Sequence, residues 1–222
     1  MSGWLSPEKV ADVTRALDLA GVFANGLLGG VLARDRKLDL FGFLVIGVVS
    51  GLGGGIVRDT LLQHGPPVAL TDYSYLATAA AGTLLAFLLD LRRHTSGLAF
   101  NLIDAVALSV WAVAGAQKTL DVGLGWLPAV LLGTITAVGG GAIRDLLLAR
   151  TPAIFGGNSL YATVAVLVSG VMVGCSRLDS PTIGIVAGIV VGTLFRATAF
   201  VRGWVLPGSR DWRASSARDG NP

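Results

Sequence analysis

"GLGGGIVRD" occupies Gly51–Asp59, at the end of a long apolar run, and "AVGGGAIRD" occupies Ala137–Asp145 in the same setting. Each places three consecutive glycines, then an arginine and an aspartate, inside oil-like sequence. A glycine in a helix interior costs about 1 kcal/mol relative to alanine, and an ionised side chain in lipid is costly unless it faces protein or water. A stretch that unfavourable, written twice, points to one origin and one task.

The register supports this. A shift of 86 positions carries Asp18 onto Asp104, Gly29 onto Gly115, Asp35 onto Asp121 and Gly47 onto Gly133. It also carries Gly53, Gly54 and Gly55 onto Gly139, Gly140 and Gly141, Arg58 and Asp59 onto Arg144 and Asp145, Pro66 onto Pro152, and Tyr75 onto Tyr161. Shared apolar composition produces chance Leu and Ala matches. It does not place Asp, Arg, Pro and Tyr in one ungapped register, so the chain is an internal duplication.

The 222 residues are 53% hydrophobic and 14% charged, against about 25% charged in soluble domains. With 31 glycines this is the composition of a polytopic helical membrane protein, in which small residues let helices approach. The net charge of +3 reflects Arg and Lys in short loops, so topology accounts for it and nucleic acid is not expected as a partner. Cys175 is the single cysteine; no disulfide can form within the chain, and it reads as a packing residue. Met1 to Asp18 is polar, with no signal peptide, so the first apolar span is expected to direct insertion.

A bilayer core needs about 20 apolar residues as helix. Seven candidate spans cover residues 17–33, 40–61, 73–91, 99–119, 124–148, 158–176 and 182–201. The corresponding organisation is a polar segment 1–16, repeat one over 17–98, repeat two over 99–178, a seventh span in 179–206 and a disordered cytoplasmic tail 207–222. Three spans per repeat force the second copy to insert upside down. The expected fold is therefore all-α, an inverted three-plus-three repeat with a seventh helix appended. Arg34, Arg36 and Lys37, then Arg92 and Arg93, then Arg150, then the tail arginines fall mostly on alternate sides. The positive-inside rule places the N-terminus outside and the C-terminus in the cytoplasm of a bacterial-type inner membrane.

In such repeats, sites gather near the midplane where interrupted helices meet. The triplets Gly53–Gly55 and Gly139–Gly141 are expected to kink or break their helices; close packing is the plainer alternative. Neighbouring positions point about 100° apart on a helix. Arg58 and Arg144 are therefore expected to pair not with Asp59 and Asp145 beside them but across helices, with Asp18 and Asp104 as candidates. These charges line a path or gate, or else only hold the bundle together. Lys118 has no repeat partner, position 32 being Leu; it either snorkels to the interface or binds a lipid phosphate or other anion. Tyr75 and Tyr161 are interfacial anchors or caps on a pore. Asn25 and Trp111 stand at matched positions and also break the symmetry.

Catalysis finds no support. "GGGAIRDLLL" is similar to the Gly-Gly-x-x-Arg-Asp opening of tRNA nucleotidyltransferases, but the Asp-x-Asp pair that holds their metal ions is nowhere in the chain, and Glu8 is the single glutamate. His64 and His94 lie in different loops, so no metal site and no resident cofactor is expected. The doubled motif, the three-plus-three-plus-one spans and the segments "RDRKLDLFG" and "AVAGAQKTL" resemble the prokaryotic branch of the trimeric intracellular cation channel family, over about Leu17–Phe200. The resemblance implies a homotrimer of seven-helix subunits, each with its own pore lined by glycine-kinked helices two and five. It implies passage of K⁺, with Na⁺ as a second permeant ion. Arg58, Asp59, Arg144 and Asp145 would lie along the pore, and Lys118 would match a lysine tied to gating or to a bound phospholipid. Two other functions compete with a channel. One is a secondary transporter for a small zwitterion such as glycine, since inverted repeats with broken helices also mark transporters. The other is a membrane scaffold whose charges are purely structural.

Overall fold

The structure, a computed structural model, describes residues 7–89, 98–155 and 160–206. The segment with Arg92, Arg93 and His94 and the tail from residue 207 lie outside the described residues. Seven long helices run through the described part: α1 Pro7–Ala33, α2 Leu40–Leu62, α3 Tyr73–Leu88, α4 Leu98–Asp121, α5 Trp126–Leu147, α6 Tyr161–Arg177 and α7 Pro181–Val201. No strand occurs among the described residues. Five of the seven (α1, α2, α4, α5 and α7) are long and apolar enough to cross a bilayer, while α3 and α6 are shorter apolar helices of 16 and 17 residues. α1 begins ten positions before the expected span, so most of the polar N-terminal segment belongs to a helix.

Local chemistry explains the boundaries. Asp39 caps α2 by accepting from the Gly42 N–H at 2.8 Å, and Asp72 caps α3 by accepting from the Ser74 N–H at 3.0 Å. Such caps satisfy amides that have no partner within the first helical turn. Pro181 opens α7, where its missing N–H costs nothing. Gly123, at φ +86°, closes α4 in the left-handed conformation that glycine adopts without strain. At the far end of α3, the Arg34 guanidinium donates to the carbonyls of Ala86, Phe87 and Leu89, taking up acceptors that the helix end leaves free.

The packing repeats with the sequence. α1 packs on α2 and α3, and α2 on α3; in the second half α4 packs on α5 and α6, and α5 on α6. The halves meet mainly through α2 against α5 and α1 against α4, and α7 lies across α4 and α6. Even small contacts are duplicated. The Thr83 hydroxyl lies 3.3 Å from the Gly26 carbonyl oxygen, and the Ser169 hydroxyl 3.4 Å from that of Ala112; the two contacts are related by the shift of 86 positions. Thr83, Ser109, Thr119 and Thr136 are fully buried and each donates to the carbonyl four residues back in its own helix. Hydroxyls are thereby satisfied without water.

Candidate functional site: paired charge clusters flanking a glycine crossing

α2 and α5 remain continuous α-helices through both glycine triplets, so neither helix is broken there. The glycines make a close contact. A Cβ on Gly54 would strike the Thr136 carbonyl oxygen, and one on Gly140 would strike the Ser50 carbonyl oxygen. A Cβ on Gly53 would stand 3.3 Å from the Gly140 Cα. Gly54 on Thr136 and Gly140 on Ser50 are one contact seen from both ends of a pseudo-two-fold axis, with α2 and α5 antiparallel. Small residues permit this approach; any side chain would push the backbones apart.

Beyond the crossing, each helix carries its Arg-Asp pair, and here the expected pairing is corrected. Arg58 Nε donates to Asp59 Oδ1 at 2.7 Å, and Arg144 Nε donates to Asp145 Oδ1 at 3.0 Å. A 100° offset does not keep neighbours apart when one of them is arginine, because its long stem folds the guanidinium back along the helix. All four residues are buried. The second oxygen of each aspartate holds the turn that follows. Asp59 Oδ2 accepts from the Val68 N–H at 3.0 Å, and Asp145 Oδ2 accepts from the Ala153 N–H at 3.3 Å. The register of 86 would make the acceptor's partner in the first half position 67. That residue is proline, which has no N–H, so the next amide takes its place.

Asp18 and Asp104 are held by tyrosines. Tyr75 Oη donates to Asp18 Oδ2 at 3.0 Å, and Tyr161 Oη donates to Asp104 Oδ1 at 3.4 Å. Both tyrosines are buried, at 8% exposure, so neither is an interfacial anchor. One cluster thus comprises Arg58, Asp59, Asp18 and Tyr75. Its counterpart at the opposite end of the crossing comprises Arg144, Asp145, Asp104 and Tyr161.

The clusters differ in their extra cation. Lys118 Nζ, on a side chain about one-third exposed, donates to Asp59 Oδ1 at 2.8 Å. In the second cluster, Arg196 from α7 pairs with Asp104 at 3.2 Å and lies 4.5 Å over the Tyr161 ring. Arg196 does not stand out in the sequence. Its signal was a lone arginine in an otherwise apolar span, without a repeat copy to draw attention to it.

A small cavity adjoins the first cluster, lined by Asp18, Gly55, Arg58, Tyr75, Trp111 and Thr136 among others. It is small, with room for about one or two water molecules. No group of three or more His, Cys, Asp or Glu side chains able to hold a metal occurs among the described residues.

The family model described as "Glycine transporter" matches residues 15–90 and 101–177, the two halves in turn. The chain belongs to that family. Among its relatives is a UPF0126 membrane protein of Deinococcus radiodurans, 39% identical over 75% of this chain and 78% of the relative. Another is the UPF0126 inner membrane protein YadS of Escherichia coli K12, 37% identical over 68% of this chain and 73% of the relative. This member of the family also has the fold of solved TRIC cation channels. One such structure is 32% identical with a TM-score of 0.81, covering 88% of this chain and 96% of its own. The TRIC trimeric intracellular cation channel orthologue from Rhodobacter sphaeroides is 30% identical with a TM-score of 0.79, covering 86% and 98%. The resemblance read from the doubled motif therefore holds, and the protein is a membrane protein.

Proposed function

We propose that this family member is a monovalent-cation channel, chiefly for K⁺, with a path in each subunit between α2 and α5. The observation that carries the reading is the α2–α5 crossing itself. Two long helices touch backbone to backbone at Gly54 and Gly140, and a buried charge cluster stands at each end of the contact. The likeness to structures described as cation channels supports it. An arginine beside a path repels cations unless a carboxylate offsets it, and Asp59 and Asp145 sit within 3.0 Å of the two arginines. With the crossing closed, passage requires α2 and α5 to part, so the glycine contact is the gate. Seven spans, an outside N-terminus, a homotrimer and bound phospholipid belong to the same proposal. Conductance of R58Q and R144Q protein in bilayers tests it: altered unitary current with the assembly intact supports a path, whereas unchanged current with lost assembly makes the charges structural.

A second reading has its own support. The family model's description is a glycine transporter, and a cavity holding both carboxylates and a guanidinium matches the chemistry of a small zwitterion. Saturable uptake without unitary current would favour it.

A further inference from the structure

The Trp111 indole N–H has no hydrogen-bond partner among the described residues, and the side chain is 2% exposed. A buried, unmet donor is destabilising, so its retention points to something that accepts from it. Trp111 lines the cavity beside the first cluster. It lies against α1 at Gly21, where a Cβ would stand 2.5 Å from Nε1. Gly21 is one helical turn from Asp18, on the same face. The matched position in the other half is Asn25, whose amide is satisfied by the Gly21 carbonyl at 3.2 Å. The unmet donor is thus a property of one cluster and has no equivalent produced by the repeat.

The charges limit what the guest can be. Arg58 offers donors and Asp18 an acceptor to the same small cavity, while Lys118 stays on Asp59. A guest carrying both an anionic and a cationic group meets both. We propose that this cavity binds a small α-amino acid of the size of glycine, its carboxylate on the Trp111 N–H and the Arg58 guanidinium and its ammonium on Asp18. The proposal takes its ligand class from the second reading above and assigns that reading's site. The space is water-sized, so the guest enters only as the wall gives. The part able to give is the one-turn helix Val68–Thr71, whose Val68 and Ala69 line the cavity and whose first amide hangs on Asp59. A displacement of that short helix admits glycine, the amino acid that asks least of it.

The test is equilibrium binding of radiolabelled glycine to the purified full-length protein in detergent. Saturable binding at one site per chain is expected, competed by unlabelled glycine but not by equal acetate, methylamine or leucine. W111F keeps an aromatic ring and removes the donor; it is expected to weaken binding by at least about tenfold without lowering the melting temperature. D18N, which can still accept from Tyr75, is the second arm should W111F fail to fold, and the same loss is expected. No saturable binding by the parent protein overturns the proposal and leaves the cavity to water. Binding that ignores both substitutions overturns it too, since the site is then elsewhere. Binding as expected but without uptake into proteoliposomes keeps the site and sinks the transport reading; uptake that ignores Trp111 does the reverse.

Discussion

Lys118 Nζ lies 2.8 Å from Asp59 Oδ1, and the position that the repeat pairs with Lys118 is Leu32. The first charge cluster is therefore closed by a cation from α4 that the second cannot have. The second recruits Arg196 from α7, which lies outside the repeat. The two ends of the α2–α5 crossing have the same ancestry and different locks. In K118M, Asp59 keeps Arg58 and the Val68 amide. A double-mutant cycle of K118M with D59N should return a coupling of about 1 kcal/mol, because Lys118 is partly exposed. Chemical denaturation of the four proteins measures it.

Arg196 is the opposite case, being buried, with a carboxylate partner that is largely buried too. Removing one member of a buried pair costs about 3–5 kcal/mol, whereas removing both is far milder. R196M should therefore lower thermal stability strongly, and R196M with D104N should recover much of the loss. If the double variant is no more stable than R196M alone, the pair is not what the residue contributes.

The glycines separate by what surrounds them. G54A and G140A place a methyl against a backbone carbonyl that has nowhere to go, and overpacking of this kind costs about 1–3 kcal/mol. G170A and G174A meet nothing within 4 Å and should be neutral or stabilise by up to about 1 kcal/mol through helix propensity. Thermal melts of the four variants check the contrast.

Asp72, at the α3 N-cap, is held below the usual carboxylate range, first by the Ser74 hydroxyl and amide and then by Arg15. A depressed carboxylate contributes stability that is full above its unfolded value of about 4 and is lost as pH falls through the lower folded value. Melting temperature should fall on acidification below about pH 4, and the D72N protein should show less of that dependence.

Much of the fold was legible because polar residues cannot match by chance in an apolar sequence. Asp18 with Asp104, and Tyr75 with Tyr161, revealed the duplication, and three spans per copy dictated inversion. The helix starts at Asp39 and Asp72 follow from ordinary capping chemistry. The site was less legible. A glycine triplet reads alike whether a helix bends or is approached, and only the position of Thr136 and Ser50 on the facing helix decides. Helical angle alone points Arg58 and Asp59 towards different partners, and arginine's reach reverses that. Arg196 had no copy to reveal it, and an unmet indole donor at Trp111 is invisible until its neighbours are placed.

The central claim is that ions pass between α2 and α5, and a planar-bilayer recording of the purified protein under a K⁺ gradient tests it most directly. Discrete unitary steps reversing near the K⁺ equilibrium potential, and altered in R58Q and R144Q, are the predicted result. Folded, inserted protein that carries no K⁺ current at any voltage, while glycine enters proteoliposomes saturably, would contradict it.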